Sequence, residues 1–264
     1  MTIFYFTSTG NCLAVAKKIL SSEANGTLIS IPQVIDSPKL EYKDNVIGII
    51  FPIYGWGMPK MVKKFCETAK LKADYIFAVG TYGNLPGACM LNAQKLAMQN
   101  GYKIDYAESL LMVDNYLPGF DMDKEIEKLP KKNPDGNLTR IIADISARKQ
   151  LEAKSSLTWR VTTAIIQTGS GLMLNGTGAR KYMIDDKCTK CGICAKVCPS
   201  GNISVTDKVE FADKCEACLG CVHLCPKNAL HLKNEKSTVR WKHPDAPLAE
   251  IIKANNRGGN NAIS

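Results

Sequence analysis

The sequence predicts an α/β protein: a doubly wound, five-stranded parallel sheet followed by a small, cysteine-rich α+β domain. Three observations carry this expectation. Strand and helix patterns alternate through the first 113 residues. A strand, a hydroxyl- and glycine-rich loop and a helix succeed one another between Ile3 and Ile19. Eight of the eleven cysteines repeat a single spacing between residues 188 and 225.

Thr2–Phe6 is a short apolar and aromatic strand. Cys12–Leu20 has helical spacing through Leu13, Ala16, Ile19 and Leu20, with Asn11 as its cap. Thr27–Ile31 is a second strand. Val46–Phe51 is continuously apolar, as a parallel strand covered on both faces should be. Met58–Ala69 is helical, with Pro59 tolerated in its first turn. Tyr75–Gly80 is another buried strand, and Leu85–Asn100 is a helix closed by Asn100-Gly101. Ile104–Val113 is the fifth strand. Strands separated by helices imply crossover connections and a parallel sheet. Met122–Leu129 and Leu138–Leu151 read as helices split by a turn-rich KKNPDGN, the second covering the sheet. Leu157–Gly171 is a further helix, and the four glycines from Gly169 to Gly178 read as a linker. Pro247–Asn255 is a short helix capped by Asp245, and Arg257–Ser264 reads as disordered. The expected divisions are 1–155, a helical linker 156–180, the cysteine-rich domain 181–233 and a tail 234–264.

At 264 residues and 45% hydrophobic, the chain can build two cores. Met1–Phe6 lacks a basic leader and reads as strand, not signal peptide. Leu157–Leu174 is interrupted by Arg160, Gln167 and several hydroxyls, so no membrane span is expected, and the reading is cytoplasmic. The formal charge of +9 would suit an acidic partner. No block of five or six like charges occurs, which argues against nucleic acid.

Cys188, Cys191, Cys194 and Cys198 read C-x2-C-x2-C-x3-C before Pro199. Cys215, Cys218, Cys221 and Cys225 repeat it before Pro226. Two-residue gaps let three thiolates wrap one corner of a cubane. Zinc also takes four thiolates, but its ribbons separate two C-x2-C pairs. Disulfides need an oxidising compartment, of which nothing here speaks. The run resembles that of the bacterial ferredoxins with two 4Fe-4S clusters. In that arrangement the fourth cysteine crosses over. The resemblance thus implies Cys188, Cys191, Cys194 and Cys225 around one cluster, and Cys215, Cys218, Cys221 and Cys198 around the other. Asp185, Asp186, Lys187, Lys190 and Lys196 surround these positions, as a docking rim or an ordinary solvated face.

In a doubly wound sheet, ligands sit beyond the carboxyl ends of the strands. The loop Thr7, Ser8, Thr9, Gly10, Asn11, Cys12 falls there, at a helix N-terminus suited to an anion. It has neither the P-loop lysine nor G-x-G-x-x-G, which argues against ATP and dinucleotides. The segment resembles the phosphate loop of the flavodoxins, which bind FMN, with Ala16 and Ile19 in the family's downstream places. Cys12 departs from the family's usual hydroxyl there; a thiol is the weaker donor. Two more strand-end loops fit: Pro52, Tyr54, Gly55 and Trp56 after the third strand, and Thr81, Tyr82, Gly83 and Asn84 after the fourth. Tyr54, Trp56 and Tyr82 would stack on the flavin ring, or else cover the sheet end. Asn115 and Tyr116 would face the flavin or a substrate, or form a strand-end turn.

Together the two halves resemble flavodoxin–ferredoxin fusion proteins of anaerobic bacteria and archaea. The resemblance implies a flavodoxin-like doubly wound sheet with FMN, then a ferredoxin-like domain with two 4Fe-4S clusters. It implies electron transfer among these cofactors and on to a redox partner protein or a small acceptor. Two copies of the chain could pair as a homodimer. Two other readings stay open: an FMN reductase acting on an organic substrate, and a redox sensor whose flavodoxin half is empty. No catalytic residue is assigned. Cys66 and Cys89 read as core residues, His223 as tuning potential or proton uptake beside the second cysteine run or as a solvated loop histidine, and His231 and His243 as belonging to no constellation.

Overall fold

The computed structural model describes residues 1–23, 25–174 and 182–257, without the side chains of 169–174. The later half of the glycine-rich linker and residues 258–264 of the expected disordered end lie outside the described residues.

Five strands form the main sheet: β1 (Thr2–Tyr5), β2 (Thr27–Ser30), β3 (Val46–Pro52), β4 (Tyr75–Tyr82) and β5 (Tyr106–Leu111). All neighbours are parallel, in the order β2-β1-β3-β4-β5. This is the flavodoxin-like doubly wound order, which places its ligand at the switch point between β1 and β3.

Alternation along the strands makes two cores. Phe4, Phe6, Ile47, Ile49, Ile76 and Ala78 face one side, where α2 (Lys60–Thr68) and α3 (Cys89–Gln99) lay down Val62, Phe65, Cys89 and Ala93. Ile3, Tyr5, Ile50, Phe77 and Val79 face the other, against Leu13, Ala16 and Ile19 of α1 (Asn11–Leu20). Both faces are covered, which is why β3 and β4 read as unbroken apolar runs. Gly48 interrupts β3 for a reason: a Cβ there would come within 2.3 Å of the Phe77 ring.

The middle of the chain differs from its expected outline. The helix beginning at Met122 runs on to Lys132 as α4, and the next, α5, spans Pro134–Ser146. Only Asn133, in the left-handed conformation, separates them, and its side chain caps α5 at Gly136 N–H. The polar segment is thus a tight corner rather than a loop. Leu151 is not helical; it forms a parallel bridge to Tyr106. α6 spans Leu157–Leu174, so the first glycines of the expected linker are helical.

The cysteine-rich part holds four three-residue strands in two antiparallel pairs. β6 (Tyr182–Ile184) pairs with β9 (Leu230–Leu232), and β7 (Ile203–Val205) with β8 (Val209–Phe211). Its core of Val222, Leu219, Leu230 and Leu232 continues into Val113, Leu117 and Met122, just after the last strand of the main sheet.

The last helix, α7, spans Leu248–Asn255 with Pro247 at its cap position. Asp245 does not cap it; its N–H instead donates to His243 Nδ1 (3.2 Å). Ile251 and Ala254 join the core beside α1. No described helix is long and apolar enough to cross a membrane.

Candidate functional site

A cavity of about 480 Å³ opens at the carboxyl ends of β1, β3, β4 and β5. Thirteen of the fourteen loop residues singled out in the sequence line it; Gly10 is the exception. Asn115 and Tyr116 line it as well. Sequence reasoning missed Asp114, Leu85, Phe120 and Ala217 on the same wall.

The loop before α1 is built for an anion. Gly10, not Asn11, holds the cap position, at φ 100° and with no side chain bonded to the helix end. The first-turn N–H groups therefore lack a capping side chain. Thr7 Oγ1 is buried without a hydrogen-bond partner. A buried hydroxyl left unsatisfied is costly, so it suits a bound acceptor. The neighbouring side chains are tied down. Ser8 Oγ meets the Tyr54 hydroxyl at 2.9 Å, and Asn115 Nδ2 donates to Thr9 Oγ1 at 2.7 Å. Cys12 Sγ lies 3.2 Å from Thr81 Oγ1, and burial pushes its thiol up to about 12. Cys12 is a packed thiol, not the activated one that a helix N-terminus can produce.

The C-terminal segment clamps this loop from behind. His243 N–H donates to Thr9 O (2.9 Å), and Trp241 Nε1–H to Asn11 Oδ1 (2.9 Å). Asn11 therefore serves a distant tryptophan instead of capping its own helix. Asn255 Nδ2 donates to Thr7 O (3.0 Å) and to Val197 O (3.1 Å). A Cβ at Gly10 would come within 2.5 Å of Ala246 Cβ, so both the backbone angle and the close approach require glycine.

The two later loops lean on the middle helices. Trp56 adopts φ 66°, unusual for a bulky residue, and packs edge-on to Trp159 of α6 with ring centroids 5.1 Å apart. Thr163 accepts the Ala88 N–H at 3.0 Å, and Gln167 donates to Gly55 O. Below the cavity, Lys132 Nζ donates to Gly83 O (2.7 Å), Met112 O (2.9 Å) and the Glu125 carboxylate (2.8 Å). The helices between the two halves thus hold the cavity loops in place.

The cysteines fall into two sets. Cys188, Cys191, Cys194 and Cys225 line one surface recess with Ile184, Lys190 and Lys227, and Cys191 is exposed. Cys215, Cys218 and Cys221 gather with Cys198 further in. Burial first, then the neighbouring Cys198, holds the Cys218 thiol well above its ordinary value. The fourth cysteine of each run thus stands with the other run's first three. Backbone N–H groups of Asn202, Ala217 and Ala229 point at Cys198, Cys215 and Cys225 Sγ, each at 3.3 Å. Such donors suit anionic sulfur. Among the described residues no three His, Cys, Asp or Glu side chains converge on a single ion.

The inner set abuts the cavity. Ala217 forms part of the cavity wall, and Cys218 packs on the core beneath the sheet. Glu216 accepts the Lys60 and Met61 N–H groups at the start of α2 (2.9 and 3.1 Å). His223 is 4% exposed, not solvated. Trp241 N–H donates to its Nδ1 (3.1 Å), so its Nε2–H donates to Asn115 O (2.8 Å). Burial holds this imidazole down at about 4. His231 also has a constellation: Asp185 at 3.2 Å, Glu235 at 2.9 Å and Arg240 at 3.1 Å. It pins the strand β9 to the segment that leads to Trp241.

Comparison with known proteins agrees with the reading of the first cysteine run. Residues 182–204 match the family model described as a 4Fe-4S binding domain. No curated protein matches the chain. Among solved structures, a flavoprotein in complex with FMN from Lactobacillus acidophilus is 13% identical, covers 49% of this chain and 97% of its own, and has a TM-score of 0.31. A flavodoxin from the domain Archaea is 17% identical over 54% of this chain and 97% of its own, at a TM-score of 0.31. The two-electron reduced flavodoxin of Megasphaera elsdenii is 16% identical over 41% of this chain and 84% of its own, at 0.29. Strand order and the matched segment define the class: a flavodoxin-like α/β domain joined to a ferredoxin-type 4Fe-4S segment.

Proposed function

We propose that this protein is an electron-transfer iron–sulfur flavoprotein, with FMN in the cavity and a 4Fe-4S cluster on each cysteine set. The observation that carries the reading is the shared wall: Ala217, one residue from Cys218, lines the cavity. Thr7, Ser8, Thr9 and the N-terminus of α1 would hold the phosphate, with the Thr7 hydroxyl finding its partner there. Tyr54, Trp56 and Tyr82 would meet the ring, and Gly83 and Asn84 its edge. Clusters carry one electron at a time, whereas FMN, when bound, holds one or two.

The exposed set around Cys191 would exchange electrons with a redox partner protein, and the inner set with the flavin. Burial and the N–H groups aimed at sulfur would tune both sets. A small acceptor could meet the flavin through the cavity mouth at Leu85 and Tyr116, both exposed. The test is anaerobic purification followed by measurement of iron, sulfide and released flavin. About eight irons and one FMN per chain are expected. Full iron with no flavin, even after FMN is added, would overturn the cavity assignment.

A further inference from the structure

One ionisable group on the cavity wall has no part in the reading above. Asp114 is the sole carboxylate among the described residues that line the cavity. It follows β5 and is fixed in place. Its Oδ1 accepts the Tyr116 N–H at 3.1 Å. Its Cα and Cβ press so closely on Gly83 that a Cβ there would meet them at 2.3 Å. The carboxyl therefore stands beside the Tyr82–Asn84 loop, half-buried yet open to the cavity.

We propose that Asp114 exchanges the proton that accompanies electron transfer in this cavity, an inference that rests on the flavin reading. Clusters deliver electrons without protons, whereas a flavin ring reduced by two electrons takes up at least one proton. The carboxylic acid of Asp114 gives up that proton from Oδ2, becomes a carboxylate, and regains a proton from water at the cavity mouth. Oxidation of the ring runs the same transfer backwards.

The surroundings suit the task. Burial, opposed by the Tyr116 N–H and assisted by Glu125, raises the Asp114 carboxyl above its ordinary value; Lys132 and Lys128 oppose the rise. These groups of α4, with Tyr82 and Tyr116 on the cavity side, are the charged and titratable groups that face it. The other candidates hold their protons too tightly: burial pushes Cys12 up to about 12 and raises Tyr54 and Tyr82 as well.

The experiment compares wild type with D114N, both purified anaerobically and titrated with FMN. Flavin affinity is read by fluorescence, and the midpoint potential of bound flavin from about pH 4, the ordinary carboxylate value, up to about pH 9. Affinities within about threefold are expected, since the change is isosteric and less than 1 kcal/mol. The Asp114 carboxyl should stay protonated to higher pH beside a reduced, negatively charged ring than beside an oxidised one, so the wild-type potential should fall more steeply with pH across that window, which D114N lacks. Identical pH curves with flavin bound to both proteins would overturn the role of Asp114 alone. Absence of flavin from wild type would defeat the cofactor reading and this inference with it. Should D114N fail to hold flavin, D114E decides: it must show the steep window displaced, and a curve without one overturns the proposal.

Discussion

Thr7 shows what a single side chain can reveal. Its hydroxyl has no partner within the protein. A hydrogen bond to a charged group contributes about 1.5–3 kcal/mol. T7V should therefore weaken FMN binding by about 10–100-fold, while the cofactor-free protein loses no stability. Calorimetric titration and thermal melting check the two halves of that statement. Glu125 allows a pH prediction. Burial opposes its charged form, but Lys128 and Lys132 outweigh burial and hold the carboxyl below its ordinary value. A depressed carboxylate contributes stability above its unfolded value near 4.3 and loses it as pH falls through the folded one. E125Q should cost about 3 kcal/mol at neutral pH, because Lys132 loses its ion-pair partner. That gap should narrow as pH falls below the ordinary carboxylate value near 4.3, as denaturant melts across the acid range would show. At this scale the sequence was legible where chemistry is local. The cysteines and the hydroxyl loop announce themselves by spacing. Asp114 did not, because an aspartate at a strand end looks like any solvated turn. Ala217 contributes only its position on the wall.

Among the elements, the parallel strands were the plainest to read, since burial on both faces leaves no polar alternation to mislead. Helix ends were harder. Asn11 and Asp245 look like caps, yet tertiary partners claim Asn11 and a neighbouring histidine claims the Asp245 N–H. The segment from Trp241 to Asn255 looks like a tail in the sequence, because its contacts with the Thr7 loop reach across more than 200 residues, a distance no local pattern encodes. It behaves as a brace. N255A removes both bonds of the Asn255 amide and leaves Thr7 O and Val197 O unsatisfied in a buried site. The expected cost is about 1–3 kcal/mol, together with weaker flavin retention. A melt unchanged from wild type would show that this brace carries no strain. α6 has a comparable role for the Trp56 loop, through Trp159 and Gln167, and for the start of α3, where Thr163 accepts the Ala88 N–H.

For the whole molecule, the two cysteine sets are not equivalent. C191A should lose about half the iron and keep its flavin, because Cys191 lies at the surface. C218A should lose the inner cluster and weaken flavin binding as well, because Cys218 packs beneath the cavity. Iron and flavin counts on the two variants decide this; equal flavin in both would make the halves independent. The brace also has a consequence in time. The loop that begins at Thr7 is made well before its partner, since the amide that holds Thr7 O belongs to Asn255, 248 residues later. At about 5–20 residues per second, that partner follows on the order of tens of seconds later. The cavity is thus finished only after both cysteine runs have been synthesised, so a nascent chain carries all eight of those cysteines before it has closed the wall at Thr7.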